Sequence, residues 1–482
     1  MRRSADGFSW KETTGRVDGL ETVAAVSGTP ETSILKEYNT IVIGTGFAGL
    51  IAARDLSLAG VSVLLVEGRD RIGGRTWTAD VDGEKIEMGG TWVHWAQPHV
   101  FCELQRYGLD QFITSPVNGS NRLHIENAQG VKPNIITDVA KHDTELQQSM
   151  QRYFDIDGSG GKMTLPFPHN PSNSFEAMAE ADTLSITDRV NQIPDLTSEQ
   201  KTALVKEVAG PHSSSPHTAG FIEVLRWYAL SNFEQSTMEA TTMRYKIAKG
   251  TSQLALAIFD EFTGHAIFNQ KVTEIEQVDD RCIVHTAMGK IFKARNVIST
   301  VPLNVAKTLK YTPPLPPLRQ EALEKGHTCK GGKLHAFVHN NMPNGFTTAG
   351  CVPLPITFGW SDGVDSKDNT HLVLFTSEYA EMSDTAKTVA HVRKLHPEDF
   401  SVASLVGMDW NADEFAQGMW CMFEKGYFTK YWKELKKPHG RLSFASADTA
   451  DGWRGFIDGA IEQGKRAAAD VIKPRGTLRA QT

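Results

Sequence analysis

Apolar positions recur along this chain at two spacings, and they place the first elements. Thr40 to Ile43 is a short apolar run that leads straight into Gly44-Thr45-Gly46-Phe47-Ala48-Gly49. From about Ala48 to Ala59, the apolar and small residues Leu50, Ile51, Ala53 and Leu56 repeat at helical spacing while Arg54 and Asp55 fall outside, and Gly60 caps the segment. Val61 to Val66 is almost continuously apolar, as a parallel strand covered on both faces should be, and Glu67 closes it. The three pieces predict one βαβ unit. From about 113 to 247 the pattern changes to Ser, Thr, Asn, Pro and helical stretches, with 142–155 and 197–209 reading as helices. β character returns from Ala266 to Val301, through Val272, Ile275, Ile283 and Val284 to a strand ending at Pro302. Gly331 to Asn340 predicts another strand, with Leu334, Ala336 and Val338 on one face and Lys333, His335 and Phe337 on the other. Leu442 to Ala445 is a last strand ahead of a helix starting near Phe456. The first 35 residues are polar and mixed in charge and read as a flexible arm.

Composition narrows the function classes. A chain of 482 residues is too long for one compact core. A hydrophobic content of 40% and a charged content of 22% are those of a globular protein that buries a sizeable core. The net charge of −7 is spread along the chain and speaks against a nucleic-acid partner; Lys433 to Arg441, the densest basic stretch, reads as a solvated loop. Five cysteines without paired spacing read as reduced thiols, and without CxxC or HExxH no metal is expected. No apolar run is long enough to span a membrane and the N-terminus lacks the apolar core of a signal peptide, so a soluble, cytoplasmic protein is expected, with the sequon at Asn118 unused. The C-terminal residues do not form a peroxisomal tripeptide of the Ser-Lys-Leu kind.

The glycine run carries the first chemistry. A lone GxGxxG is weak, but here a strand precedes it, a helix follows it, and Glu67 lies at the end of the next strand. Gly44 permits the tight turn, Gly46 lets the backbone approach a pyrophosphate, and Gly49 allows close helix–strand packing. The helix N-terminus offers N–H groups and a positive dipole end to the phosphates, and Glu67 can accept from a ribose diol.

The continuation, Glu67-Gly68-Arg69-Asp70-Arg71-Ile72-Gly73-Gly74-Arg75, resembles the ExxxRxGGR extension of the glutathione-reductase-like flavoproteins. That favours FAD over NAD, with Arg71 and Arg75 near the diphosphate. Glu87-Met88-Gly89-Gly90-Thr91-Trp92-Val93-His94-Trp95, Thr300-Val301-Pro302-Leu303 and Gly452-Trp453-Arg454-Gly455-Phe456-Ile457-Asp458-Gly459-Ala460-Ile461-Glu462 extend the resemblance to the flavin-containing amine oxidases, nearest the fungal monoamine oxidase N type, over about residues 38–470. The resemblance implies an α/β fold: a discontinuous, glutathione-reductase-like FAD-binding Rossmann domain from 37–112, 248–322 and 413–475, and an α+β substrate domain with a mixed or antiparallel sheet from 113–247 and 323–412. Residues 1–36 are the arm and 476–482 a tail.

The same resemblance assigns roles. Phe47, Ala48, Gly68, Arg69, Gly74, Gly89, Gly90, Thr91, Trp92, Pro302 and Trp410 join the cofactor set, Val272 meets the adenine, and Asp448 stands where the family usually has Glu, at the ribityl–phosphate region. Ile457 begins a helix of small residues that points its N-terminus at the flavin. Lys333 matches the lysine that holds a water at flavin N5; from the pattern alone it would be a solvent-facing lysine on an amphipathic strand. Trp420 and Phe456 match an aromatic cage that orients the amine; either ring alone reads as core. Met419 stands where the mitochondrial relatives have the cysteine that links FAD, so non-covalent FAD is expected. The implied reaction is oxidation of a monoamine by O₂ to an imine with release of H₂O₂. Polyamine and L-amino-acid oxidation on the same scaffold stay open, the first calling for carboxylates along the channel and the second for a facing arginine, with Glu239 and Arg244 as candidates. A flavin-binding protein without oxidase activity is the alternative from another class. The pocket is expected to draw on 205–246 and 350–363, and homodimerisation is left open.

Overall fold

The computed structural model describes residues 1–115, 123–126, 133–339 and 345–473. Asn118, Asn340 and the tail at 476–482 lie outside the described residues. Two sheets organise the chain. In the first, Tyr38–Ile43 runs parallel between Val63–Val66 and Ile291–Ser299, and His265–Ile267 adds a further parallel strand beside Val63–Val66. Ile291–Ser299 is shared by two arrangements. Its first half pairs antiparallel with Arg281–Thr286, which continues to Val272–Val278, and its second half pairs parallel with Leu442–Phe444. The helix Phe47–Leu58 returns the chain between the first two parallel strands, and Gly60 follows it with φ +77°. The fold class is the expected one, a dinucleotide-binding α/β unit assembled from separated segments beside a largely antiparallel second sheet.

That second sheet has Lys333–Val338 at its middle, antiparallel to both Thr370–Thr376 and Val402–Met408. All six residues of the strand are buried. The alternation of its sequence predicts one solvent face, but Leu334, Ala336 and Val338 pack in one core with Val389 and Val392 of the helix Thr385–Arg393, while Lys333 and His335 meet Gly89, Thr91 and the Glu87 carbonyl. Thr78–Val81 and Glu84–Glu87, inside a stretch assigned to the cofactor domain, also belong to this sheet. The helical stretch contains Val139–Phe154 and Ser198–Ala209, close to the expected bounds, the second opened by a Thr197–Gln200 capping box. Among the described residues no helix is long and apolar enough to cross a membrane, no group of His, Cys, Asp and Glu could hold a metal, and none of the five cysteines is in a disulfide.

The N-terminal arm is corrected. Residues 1–36 do not hang free: Arg2–Lys11 and Gly15–Thr22 form a hairpin that extends the second sheet beside Val402–Met408. Phe8 is buried against Gly407, where a Cβ would come within 2.8 Å of its ring. Mixed charge predicts solvation, and most of these charges are exposed, but Asp6 is an internal partner. Asp6 sits 2.9 Å from Arg69 and 2.7 Å from Arg71, and Asp70 accepts from Ser4 Oγ at 2.6 Å and from the Ala5 amide at 2.8 Å.

Burial alone would raise the Asp6 carboxyl, but Arg71 and Arg69 outweigh it and hold it below 3.8. Asp6→Ala leaves two buried guanidinium groups short of a partner and is expected to cost about 3 kcal/mol in urea unfolding at neutral pH. A lowered carboxylate stabilises the fold above its ordinary value and loses that contribution as pH falls through the lower folded value. The deficit of the variant should therefore shrink below pH 3.8; a deficit unchanged there would mean that Asp6 acts by packing and not by charge.

Candidate active site

A long cavity begins at the end of the first parallel strands. Gly44 turns there with φ +100°, and Gly46 is the N-cap of Phe47–Leu58, which no side chain caps. Phe47 and Ala48 line the cavity, so the first-turn amides of this helix are available to an anion. Gly49 does not line it. A Cβ at Gly49 would lie 1.9 Å from the Gly44 carbonyl oxygen, so this glycine sets the helix against the turn. Glu67 is buried at the cavity wall; its carboxylate accepts from the Thr45 amide at 2.7 Å, the Thr45 hydroxyl at 2.6 Å and the Arg69 amide at 2.8 Å. A carboxylate offers about four acceptor positions, which leaves capacity for a diol. Gly68 and Gly74 lie alongside, the latter with φ +61°, and Val272 closes this end.

The arginines divide differently from the expectation. Arg69 lines the cavity and is gripped by Asp413 at 2.5 and 2.7 Å. Arg71, expected near a diphosphate, is fully buried away from the cavity, paired with Asp6 and stacked 4.5 Å over Trp77. Its position is structural because the hairpin supplies an acid on its side of the loop. Arg75 does reach the cavity, donating to the Met419 carbonyl at 2.7 Å and to Asp448 at 2.6 Å. Asp448 is also corrected: it is wholly buried behind Arg75 and accepts from the Leu303 amide at 2.8 Å, so it orients Arg75 and does not face the cavity itself.

Along the middle, Gly89, Gly90, Thr91, Trp92, Pro302 and Trp410 form the walls. The Trp410 indole N–H donates to the Met88 carbonyl at 3.0 Å, and a Cβ at Gly89 would come within 2.0 Å of the Arg75 carbonyl oxygen. Lys333 enters from the central strand. Its ammonium donates to the Gly89 carbonyl at 3.0 Å and the Thr91 hydroxyl at 2.5 Å, and stands 4.8 Å over the Trp92 ring. Burial brings it down to about 7 against the opposing pull of Glu87 and Asp362. Ile457 lies opposite, at the start of Ile457–Ile472, another helix without a side-chain cap. Asp458 in its first turn points elsewhere, accepting from the His99 and Val100 amides at 2.6 and 2.9 Å.

The far end is aromatic. Trp420 and Phe456 both line it, and Gly455, with φ +85°, brings their two segments together: a Cβ there would be 3.4 Å from Trp420 Cβ. Trp420 donates its indole N–H to the Pro211 carbonyl at 2.9 Å and meets Phe375 edge-on at 5.5 Å. Phe456 meets Trp227 edge-on at 5.2 Å. Trp227, Thr242, Met243, Phe358 and Trp360 complete the chamber from the two stretches expected to supply it; Phe375 came from outside them. Hydrophobicity alone gave these rings no distinction from core. Glu239 and Arg244 are not in the lining; Glu239 accepts from Gln235 on its own helix. Met419 lines the cavity, while Cys421 is buried behind it.

The family model for flavin containing amine oxidoreductases matches residues 47–472. The chain belongs to this family. Among curated relatives, a pseudooxynicotine dehydrogenase of Pseudomonas sp is 36% identical over 90% of this chain and 86% of its own length. A nicotine dehydrogenase of Pseudomonas putida (strain DSM 28022 / S16) is 32% identical over 98% of this chain and 96% of its own. A solved putrescine oxidase superposes with a TM-score of 0.74 at 22% identity, over 90% of this chain and 99% of that one, and shares the fold.

The residues fit the flavin of this flavoprotein family. Two uncapped helix N-termini open on one cavity, the buried acid Glu67 lines it and could accept from a ribose diol, and the position of Gly46 is open toward the cavity, its nearest obstacle for a Cβ being Gly74 Cα at 3.9 Å. This makes a discriminating pair of variants. Gly46→Ala should fold with the melting temperature of the flavin-stripped parent protein and purify with at least tenfold less flavin, because the added methyl meets the cofactor and not the protein. Gly49→Ala should fail to fold stably, its Cβ having to displace the Gly44 carbonyl. Full flavin occupancy in Gly46→Ala would remove the pyrophosphate from this turn.

Proposed function

We propose that the chain uses non-covalently bound FAD to oxidise an apolar monoamine to an imine, with O₂ taking the electrons and leaving as H₂O₂. The observation that carries the reading is the aromatic end of the cavity: Trp227, Thr242, Met243, Phe358, Trp360, Phe375, Trp420 and Phe456 carry no charge, and Lys333 stands beside them, 5.9 Å over the Phe375 ring. A polyamine would call for carboxylates among these rings and an amino acid for an arginine, whereas Glu67, Glu414, Arg69 and Arg75 line the cavity away from the aromatic end. FAD would accept the α-hydrogen and two electrons. Trp420 and Phe456 present ring faces to the amine and orient its α C–H, the apolar walls favour the neutral base over the ammonium ion, and Lys333 holds a water beside the cofactor. The imine then hydrolyses to a carbonyl compound and ammonia or an amine. The relatives named for nicotine and pseudooxynicotine direct the choice toward amines that carry an aromatic ring. Met419 cannot form a thioether with FAD and Cys421 lies outside the lining, which supports a cofactor held without a bond.

The names of those two relatives also favour a second reading, a dehydrogenase that passes its electrons to an acceptor other than O₂. Adding benzylamine, amylamine, nicotine or putrescine to the yellow protein without oxygen separates the readings. Bleaching by a monoamine with rapid recovery and peroxide on admitting air is the expected result. Bleaching that air restores only slowly would move the assignment to a dehydrogenase, and bleaching by putrescine alone would overturn the monoamine class. Acid precipitation should release all of the flavin into the supernatant. Lys333→Met should retain FAD and lose roughly 100-fold in turnover; unchanged kinetics would take Lys333 out of the site.

A further inference from the structure

Lys333 borders a second, separate cavity. Thr91, Trp92 and Lys333 line both it and the active-site cavity, so the lysine and its neighbours form the partition. The two spaces differ in chemistry. On the substrate side the walls are rings; on the other side they carry His335, His371, Lys246 and Asp362, with Lys85 and Glu87 also in the lining.

The hydrogen bonds there have a direction. His335 Nε2 lies 3.0 Å from the Glu87 carbonyl oxygen, and His335 Nδ1 lies 2.9 Å from His371 Nε2. A carbonyl only accepts, so His335 Nε2 carries the hydrogen, its Nδ1 accepts from His371, and His371 Nδ1 is left as an acceptor. Burial holds both rings neutral, His335 well below 6.5 and His371 down to about 4. Lys246 pairs with one oxygen of Asp362 at 2.6 Å, and the other oxygen, Oδ1, is buried with no hydrogen-bond partner although the side chain is only 7% exposed. The Glu87 carboxylate is committed elsewhere, accepting from Thr78, the Thr251 amide and the Thr251 hydroxyl. An orphaned carboxylate oxygen in a polar space beside a buried amine calls for water and a mobile proton.

We propose that this chamber is the proton-exchange path of Lys333, with Asp362 as the group that takes the proton from the lysine side and Lys246 as the cation that restrains it. The inference rests on the reading of Lys333 as the lysine beside the cofactor. In the exchange step an Nζ–H bond of Lys333 breaks with its electron pair staying on nitrogen. The proton passes through water to Asp362 Oδ1, and an O–H bond forms there; no electron is transferred. The arrangement lets Lys333 change its charge without opening the aromatic chamber to bulk water. Asp362 and Lys246 act on Lys333 with opposite sign, the carboxylate favouring the ammonium and the second lysine opposing it.

The test uses that opposition. In purified holoprotein labelled with ¹³C at lysine Cε, the Lys333 resonance is assigned by its loss in Lys333→Met and followed with pH. Asp362→Asn should move its midpoint down, and Lys246→Met should move it up, each by roughly half a unit or more. General loosening of the fold would move both the same way. In stopped-flow reduction by an amine, Asp362→Asn should be at least tenfold slower at unchanged flavin content and melting temperature, and added formate should restore the rate in proportion to its concentration. Midpoints that stay put or move together, or a slowed Asp362→Asn that formate does not rescue, would overturn the path. The resonance titration needs no amine turnover, so an unreactive protein with opposite midpoint shifts would fault the functional reading and not the chamber.

Discussion

Two helices can aim their N-termini at one cavity only if they pack closer than ordinary side chains permit. The whole site depends on that approach. Phe47–Leu58 lies against the turn before it because Gly49 has no Cβ to meet the Gly44 carbonyl. Ile457–Ile472 lies against the first helix because a Cβ at Gly464 would come within 2.5 Å of the Ala48 carbonyl oxygen. Two positive helix ends then open on one cavity, where they favour negative charge. Neither end is satisfied by a side chain, and Asp458, which could have capped the second, is drawn off to the amides of His99 and Val100. Unmet donors at two helix ends on one cavity suit it to an anionic group.

Positive charge in the loop between Glu67 and Arg75 is held in place by acids from remote parts of the chain. Asp6 and Asp413 fix Arg69, Asp6 fixes Arg71, and Asp448 fixes Arg75. A guanidinium so held loses little freedom when a ligand arrives, and its burial is balanced by its partner. At 448 the acid stands behind its cation, outside the cavity lining, so its reach need only extend to Arg75.

The parts of this site that could be read from sequence are those whose chemistry is local. The glycine turn, its helix and Glu67 lie within one short stretch, and each glycine has a backbone reason that needs no knowledge of the rest. The orientation of Lys333 was not local: its strand alternates like a surface strand, and only the two neighbours that flank it, Thr370–Thr376 and Val402–Met408, and the layers above and below bury both faces. Arg71 and Asp448 were misplaced for the same reason, since their partners, Asp6 and Arg75, are distant in sequence. The hairpin at residues 2–22 was hidden by its charges, among which Asp6 looks solvated until the loop that it neutralises is seen. Among the aromatic residues of the chamber, Trp420 and Phe456 stood out by family resemblance, while Trp227, Phe358, Trp360 and Phe375 had nothing in their own sequence to separate them from core.

The clamp on Arg69 has a consequence for how the holoprotein comes into being. One of its acids lies 63 residues before Arg69 in the chain and the other 344 residues after it, and the helix beginning at Ile457 follows later still. A nascent chain therefore carries the glycine turn and Glu67 long before it can hold a flavin firmly. Firm cofactor binding waits until the separated segments of the domain have closed on one another. Flavin that arrives before that closure meets a glycine turn whose clamp and second helix end are still missing.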